Sequence, residues 1–249
     1  MGVFLALYAP IVTLVLFSFN ADTSMSRWGG LSLRWYRDAF ANEVVQEAAL
    51  RSLLVATVAA LASTLLAVPA ALGTVRAGRF RGRTAIFALI NQPLMVPEIV
   101  TAVALLLVFG IVRQATGWQG IGYLLLAHTA FCIPFAYLPI RARLEGLDAR
   151  LEVAARDLYA TPWTAFRRIT LPLLLPGIMA GAMLAFVVSL DDVVITELVK
   201  SAGQETLPTY LLGEMRRNLT PEVNAISTAL LALTLVLLTL FFVLTRKRG

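Results

Sequence analysis

Charge is scarce in this chain. Only 14% of its 249 residues are Asp, Glu, Lys or Arg, where an ordinary soluble domain has about a quarter. Lysine is scarcer still: Lys200 and Lys247 are the only two. Neither follows a glycine, so the Gly-Lys-Ser/Thr loop that cradles phosphate is missing, and the chain does not bind ATP by that route. The single histidine, His128, excludes an HExxH zinc site. The single cysteine, Cys132, excludes an internal disulfide and any multi-cysteine metal site. No metal site is expected, and an intramembrane enzyme would lack a nucleophile–base set.

What is abundant is apolar. Hydrophobic residues make up 59% of the chain, and mean hydropathy is +0.79. Residues 52–75, 169–190 and 223–245 carry no charge, and each is long enough for a spanning helix, which needs about 20 apolar residues. Residues 1–21 and 114–140 are further runs, and 84–112 is clean but for Glu98. The runs do not alternate with period two, which excludes a membrane β-barrel. The first lacks a basic leader and a small-x-small cleavage site, so an anchoring span is expected there rather than a signal peptide. The chain reads as an all-α membrane protein with six spans, roughly 2–19, 50–73, 85–112, 121–140, 172–198 and 223–245. No low-complexity linker divides it, so 1–249 reads as one domain.

Basic residues mark the cytoplasmic side of a membrane protein. Loop 74–84 carries Arg76, Arg79, Arg81 and Arg83 and no acid, and loop 141–171 carries Arg141, Arg143, Arg150, Arg156, Arg167 and Arg168. The tail adds Arg246, Lys247 and Arg248. Both termini and both loops are therefore expected inside. This topology accounts for the net charge of +6, and no nucleic-acid partner is needed to explain it. Outside, Leu33, Tyr36 and Phe40 have helical spacing, with Trp28 and Trp35 suited to the interface. Leu207-Pro208 and Thr220-Pro221 read as helix openings.

Loop 141–171 is the unusual part. Leu144, Leu147, Leu151, Ala154 or Ala155, and Leu158 recur every three or four residues, which predicts a short amphipathic helix. Thr161-Pro162 predicts an N-cap and first helical residue. A second short helix then presents Trp163, Phe166 and Ile169. On physics alone this is either an interfacial hairpin or a knob shaped for another protein.

The stretch "EVAARDLYATPWTAFRRITLP" resembles the cytoplasmic EAA loop of ABC-importer permeases, whose pattern is E-A-A, three residues, G, then I-x-L-P. Val153 stands where the pattern has glutamate, with Glu152 beside it, and Tyr159 stands where it has glycine. "NQPLMVPEIVTAVALLLVFG", "SLDDVVITELV" and "PEVNAISTALL" are similar to the spermidine/putrescine branch, in particular its second membrane subunit. The resemblance implies a type I importer fold of six transmembrane helices with a cytoplasmic coupling-helix loop. It also implies docking on an ABC ATPase through Glu152, Val153, Ala154, Ala155, Asp157, Leu158, Tyr159, Pro162 and Phe166. The implied partners are an ATPase dimer that holds ATP and Mg, a second permease subunit, a periplasmic or lipid-anchored solute-binding protein, and membrane lipid. The implied location is the bacterial cytoplasmic membrane.

Ionisable groups inside a span usually mark a pathway. Glu98 reads as about 13 residues into the third span, past the midplane at 1.5 Å per residue, with Pro93 and Pro97 bending the helix around it. Asp191 and Asp192 sit near the outer end of the fifth span, and at most one can face the pore squarely. Together with Tyr123, Phe131 and Tyr137 they suit a polyamine or similar cation, through ion pairing and cation–π contact. Glu98 also fits a cap or hydrogen bond at a broken helix, and Asp191 and Asp192 fit the water boundary, paired with arginines of a partner chain. His128 is expected to hydrogen-bond inside its span, Cys132 to be a core residue, and Gly177 and Gly181 to allow close helix packing. Importers of an opine, iron, thiamine or an oxyanion remain open as alternatives, as does an ATPase-independent channel or secondary transporter. Against the last, no internal inverted repeat is visible.

Overall fold

The computed structural model describes residues 2–24, 27–78, 80–118, 120–217 and 220–246. Arg79, Lys247 and Arg248, used above to orient the spans, lie outside the described residues. Helix α1 covers Gly2–Phe17, α2 Arg34–Ala41 and α3 Glu43–Val75. Then come α4 (Arg83–Met95), α5 (Glu98–Thr116) and α6 (Gly122–Glu145). The short helices α7 (Arg150–Asp157) and α8 (Pro162–Ala165) lead through a π-helical turn, Phe166–Thr170, into α9 (Leu171–Asp191). The chain continues as α10 (Val194–Val199), α11 (Leu207–Arg217) and α12 (Pro221–Arg246).

Among the described residues, 5 helices are long and apolar enough to cross a membrane: α3, α5, α6, the continuous Pro162–Asp191 and α12. Helix α1 is apolar but shorter, and its 16 residues rise about 24 Å against roughly 30 Å of hydrocarbon. Outward-facing Leu61, Leu65, Leu107, Ile111, Leu235 and Val236 are exposed. Faces this apolar are at home in lipid.

Three expectations need correction. The third span is two helices, not one bent helix. Val96 is extended at φ −110, ψ 142, because Pro97 lacks an N–H and disfavours helical geometry in the residue before it. Glu98 is therefore the first residue of α5 rather than a mid-span residue. The fifth span ends at Asp191, since Asp192 turns extended at ψ 133 and α10 starts separately. The second short helix of the loop runs straight into the fifth span, and the widened turn before Pro172 leaves room for the proline ring.

The chain forms two compact units. The first holds Met1–Leu53 and Ala202–Gly249. Here Ala39, Val45, Ala48, Leu207, Leu211 and Ile226 form the core. Ser52 accepts the Leu207 N–H at 2.7 Å, and Arg51 donates to the Glu205 carbonyl at 2.9 Å. Helix α2 forms near the expected place with a different face inward. Trp35 and Ala39 are buried while Leu33 and Phe40 are exposed. The Trp35 indole N–H donates to the Asn20 carbonyl at 2.7 Å, and Tyr36 Oη shares a hydrogen bond with Ser18. Helices α11 and α12 open at Leu207 and Pro221, as their sequence predicts.

The second unit is Leu54–Ser201, and it carries the functional groups. Its centre is the packing of α6 against α9. Lipid tails are as apolar as leucine, so contact between spans depends on close approach. Gly177 and Gly181 provide it: a Cβ on Gly181 would collide with the Ala136 carbonyl, and one on Gly177 would strike Arg143 and the Pro139 carbonyl. Leu124, Tyr137, Ile140, Leu144 and Leu174 are fully buried around this contact. Cys132 is buried as well, its thiol 3.4 Å from the Ala185 carbonyl. Helix α10 packs on α5 and α6, and α4 packs on α6.

Candidate functional site

Two helix breaks meet in the second unit. One is Val96-Pro97, which places Glu98 in the first turn of α5. The other is residues 192–193, between α9 and α10. The Glu98 carboxyl neighbours the Asp192 carboxyl. Asp192 itself is held tightly. Its Oδ1 accepts the Ile195 N–H at 3.2 Å, and its Oδ2 accepts the Thr196 N–H at 2.9 Å and the Thr196 hydroxyl at 2.8 Å. These bonds satisfy the donors that a helix leaves open in its first turn. A carboxylate has about four acceptor positions. Three go to the backbone and to the Thr196 hydroxyl.

His128 of α6 supports this arrangement from behind. Its Nε2 lies 2.9 Å from Thr196 Oγ1 and 3.5 Å from Asp192 Oδ2, and its Nδ1 lies 2.8 Å from Ser189 Oγ. The side chains of His128 and Asp192 are each only 1% exposed. The sequence alone places His128 in a hydrogen bond within its span. Its partners are in fact on α9 and α10. The local signal for the cap was present: an Asp stands three residues before Ile195 at a helix start.

Of the other expected path residues, Asp191 is exposed. Tyr137 is fully buried. Its hydroxyl shares a hydrogen bond with Thr74 at 2.8 Å, and its ring packs on Phe87. Tyr123 donates to the Trp118 carbonyl at 2.9 Å, and Phe131 stacks on Phe135. The structure thus joins Glu98 to Asp192 and gives Tyr137 a separate polar partner. Among the described residues, no group of three His, Cys, Asp or Glu side chains is placed to hold a metal.

The loop 141–171 has an inner and an outer side. Ala155 is buried and Glu152 and Phe166 are half-buried. The Thr170 hydroxyl donates to Glu152 Oε1 at 2.9 Å, and Arg76 Nε stands 3.4 Å from the same oxygen. The expected apolar stripe is therefore not a single buried face. Leu144 and Ala155 point in, but Val153, Ala154, Asp157, Leu158, Tyr159 and Pro162 are exposed, with Leu151 and Trp163 beside them. Thr161 accepts the Thr164 N–H at 3.2 Å and caps α8 as its sequence predicts. Ahead of α7, the Arg150 side chain and backbone N–H hold the Asp148 carboxyl below its ordinary carboxylate range.

Tyr159 explains why the permease pattern carries glycine at its position. Its φ is +59, in the left-handed region. Its N–H bonds to the Arg156 carbonyl at 2.9 Å, and the Ala160 N–H bonds to the Ala155 carbonyl at 3.0 Å. This is a Schellman termination of α7, whose residue after the cap is left-handed. A tyrosine there costs roughly 1–2 kcal/mol relative to a right-handed residue, and its side chain is left 98% exposed.

The chain is 40% identical to the putrescine transport system permease protein PotI of Escherichia coli strain K12, over 92% of this chain and 82% of that protein. It is 40% identical to the spermidine/putrescine transport system permease protein PotC of Haemophilus influenzae, over 99% of this chain and 95% of that one. Its fold is similar to that of a chain in a bacterial ABC transporter that imports the acidic polysaccharide alginate, with a TM-score of 0.72 at 16% identity, covering 97% of this chain and 90% of that one. A chain of the methionine ABC transporter MetNI gives a TM-score of 0.65 at 18% identity, over 80% of this chain and 94% of that chain. The pattern of the binding-protein-dependent transport system inner membrane component matches residues 63–247. This multi-pass chain belongs to that family of permease subunits.

Proposed function

We propose that this chain forms half of the translocation path for a polyamine or a similar cationic solute in an ATP-driven importer. The observation that carries the substrate class is the meeting of the Glu98 and Asp192 carboxyls at two helix breaks. The buried Asp192 carboxylate costs several kcal/mol unless it is paired, and the half-buried Glu98 beside it adds like charge. An ammonium group between them offsets that cost and relieves their repulsion, and a polyamine carries several. Broken helices also free backbone carbonyls to receive such a donor. The names of the relatives PotI and PotC, which are permeases for putrescine and for spermidine/putrescine, support the same class.

The outer face of loop 141–171 is the docking surface for a separate ATPase dimer, which holds ATP and magnesium. Val153, Leu158, Tyr159 and Trp163 supply its apolar area, and Asp157 a charge. Closure of the dimer moves α7 and α8, and the π-helical turn transmits the motion to α9, whose far end carries Asp192. A binding protein delivers the solute from the outer side. A second, related permease subunit completes the path. The chain resides in a bacterial cytoplasmic membrane with both termini inside, as its arginine-rich loops favour.

The test is purification of the tagged chain in mild detergent, followed by mass spectrometry of its companions. Recovery of an ATPase and a second permease is expected. A homo-oligomer without an ATPase would return loop 141–171 to a membrane-surface hairpin and overturn the importer reading.

A further inference from the structure

Four polar groups from three helices converge behind the carboxyl pair: His128 of α6, Ser189 of α9, and Asp192 and Thr196 at the start of α10. Their hydrogens are ordered by chemistry. Thr196 gives its only hydroxyl hydrogen to Asp192. Its oxygen must then accept from His128, so the ring donates through Nε2. Nδ1 faces the Ser189 hydroxyl. This chain of bonds fixes the rotamers of Thr196 and His128 together. It also fixes the rotamer of Asp192, both of whose oxygens are occupied.

We propose that His128 and Thr196 are positioning residues for solute transfer. They hold the Asp192 carboxylate in register with Glu98 across the break between α9 and α10. The inference rests on the reading of Glu98 and Asp192 as the cation site. Neither residue needs to touch the solute. In a low-dielectric site a carboxylate with a free rotamer turns to whatever donor is nearest, and a buried network is what prevents this. The backbone donors of α10 alone do not, because α10 is only six residues long and needs its own anchor to α6. The His128–Thr196 bond is that anchor.

The complete importer, in proteoliposomes with its partner chains, is loaded with putrescine, and uptake and ATP hydrolysis are measured together. Thr196→Val keeps the shape and removes the hydroxyl, and His128→Leu removes the ring nitrogens. Each should lower putrescine moved per ATP by about tenfold, the scale of one or two buried hydrogen bonds. Thr196→Ser should stay within about twofold of the parent, because it restores the hydroxyl bonds. In a Glu98→Gln background, Thr196→Val should cost less than about twofold more, because residues acting through one site are not additive. Equal losses in both backgrounds would show a merely structural role and overturn the proposal. So would a normal ratio for Thr196→Val beside a reduced ratio for Glu98→Gln, which would leave the cation-site reading intact. A normal ratio for Glu98→Gln would overturn both. If His128→Leu does not assemble, the Thr196 series decides.

Discussion

The guanidinium of Arg76, one residue past the end of α3, stands 3.4 Å from the Glu152 carboxylate of α7, and its Nη2 donates to the Leu147 carbonyl at 3.2 Å. The first contact is ionic rather than a hydrogen bond, since Nε lacks hydrogen-bond geometry to any acceptor. Both side chains are about one-fifth exposed, at 22% and 21%. With Thr170 bonded to the same carboxylate, one oxygen links α7 to both the preceding and the following spans. Helix α7 is thus tied to α3 and to the turn that leads into α9.

Arg76→Gln should lower solute moved per ATP severalfold while leaving ATPase binding intact. Because the pair is mostly buried, the stability cost should be about 1–3 kcal/mol, that of leaving a buried polar group without its partner. Parallel measurement of uptake, ATP hydrolysis and melting temperature checks it. Unchanged coupling would make the Arg76–Glu152 contact a passive tether.

Tyr159→Gly sets two effects against each other. Glycine removes left-handed strain of roughly 1–2 kcal/mol but loses more backbone entropy, about 0.5–1 kcal/mol. Stability should therefore rise by no more than about 1.5 kcal/mol. Recovery of the ATPase should fall, because the exposed ring is lost from the docking surface. A pull-down with thermal melting tests both, and undiminished recovery would remove Tyr159 from that surface.

Gly181→Leu should separate α6 from α9 and destabilise the chain by about 1–3 kcal/mol or more, since its Cβ meets the Ala136 carbonyl. Gly110→Ala, where a Cβ meets nothing within 4 Å, should instead be neutral or stabilise α5 by about 0.5–1 kcal/mol. Thermal unfolding in one detergent compares them, and equal effects would contradict the packing account.

Asp191→Asn should weaken cation uptake less than Glu98→Gln does. Asp191 is exposed, whereas Glu98 faces the buried Asp192. Initial rates for putrescine in the two variants decide the order, and a larger loss for Asp191 would move the binding point toward the membrane surface.

Most of the spans were legible because hydrocarbon thickness sets their length, and an uncharged run of that length has few alternatives in water. Pro97 was legible as a bend but not as a full break. Whether a proline kinks or ends a helix depends on what the freed groups find in the tertiary structure. The facing of Glu98 and Asp192 was not legible, because a long-range pairing leaves no local periodicity. Asp192 looked like a free intramembrane charge, and only the fold shows that most of its acceptor positions are taken. Ala155 and Leu158 looked like one face of a helix. Helix α7 is two turns long and ends in a left-handed residue, so its stripe does not continue. Tyr137 looked suited to a cation, but Thr74, far along the chain, takes its hydroxyl.

The most direct test of the central claim is ATP-dependent uptake of radiolabelled putrescine by the reconstituted importer, with the parent chain and with Glu98→Gln. The account predicts ATP-dependent uptake by the parent and about tenfold less or lower in the variant, the scale of one charge-assisted contact at 1.5–3 kcal/mol. Putrescine uptake that is independent of ATP, or equal in the two chains, would contradict it.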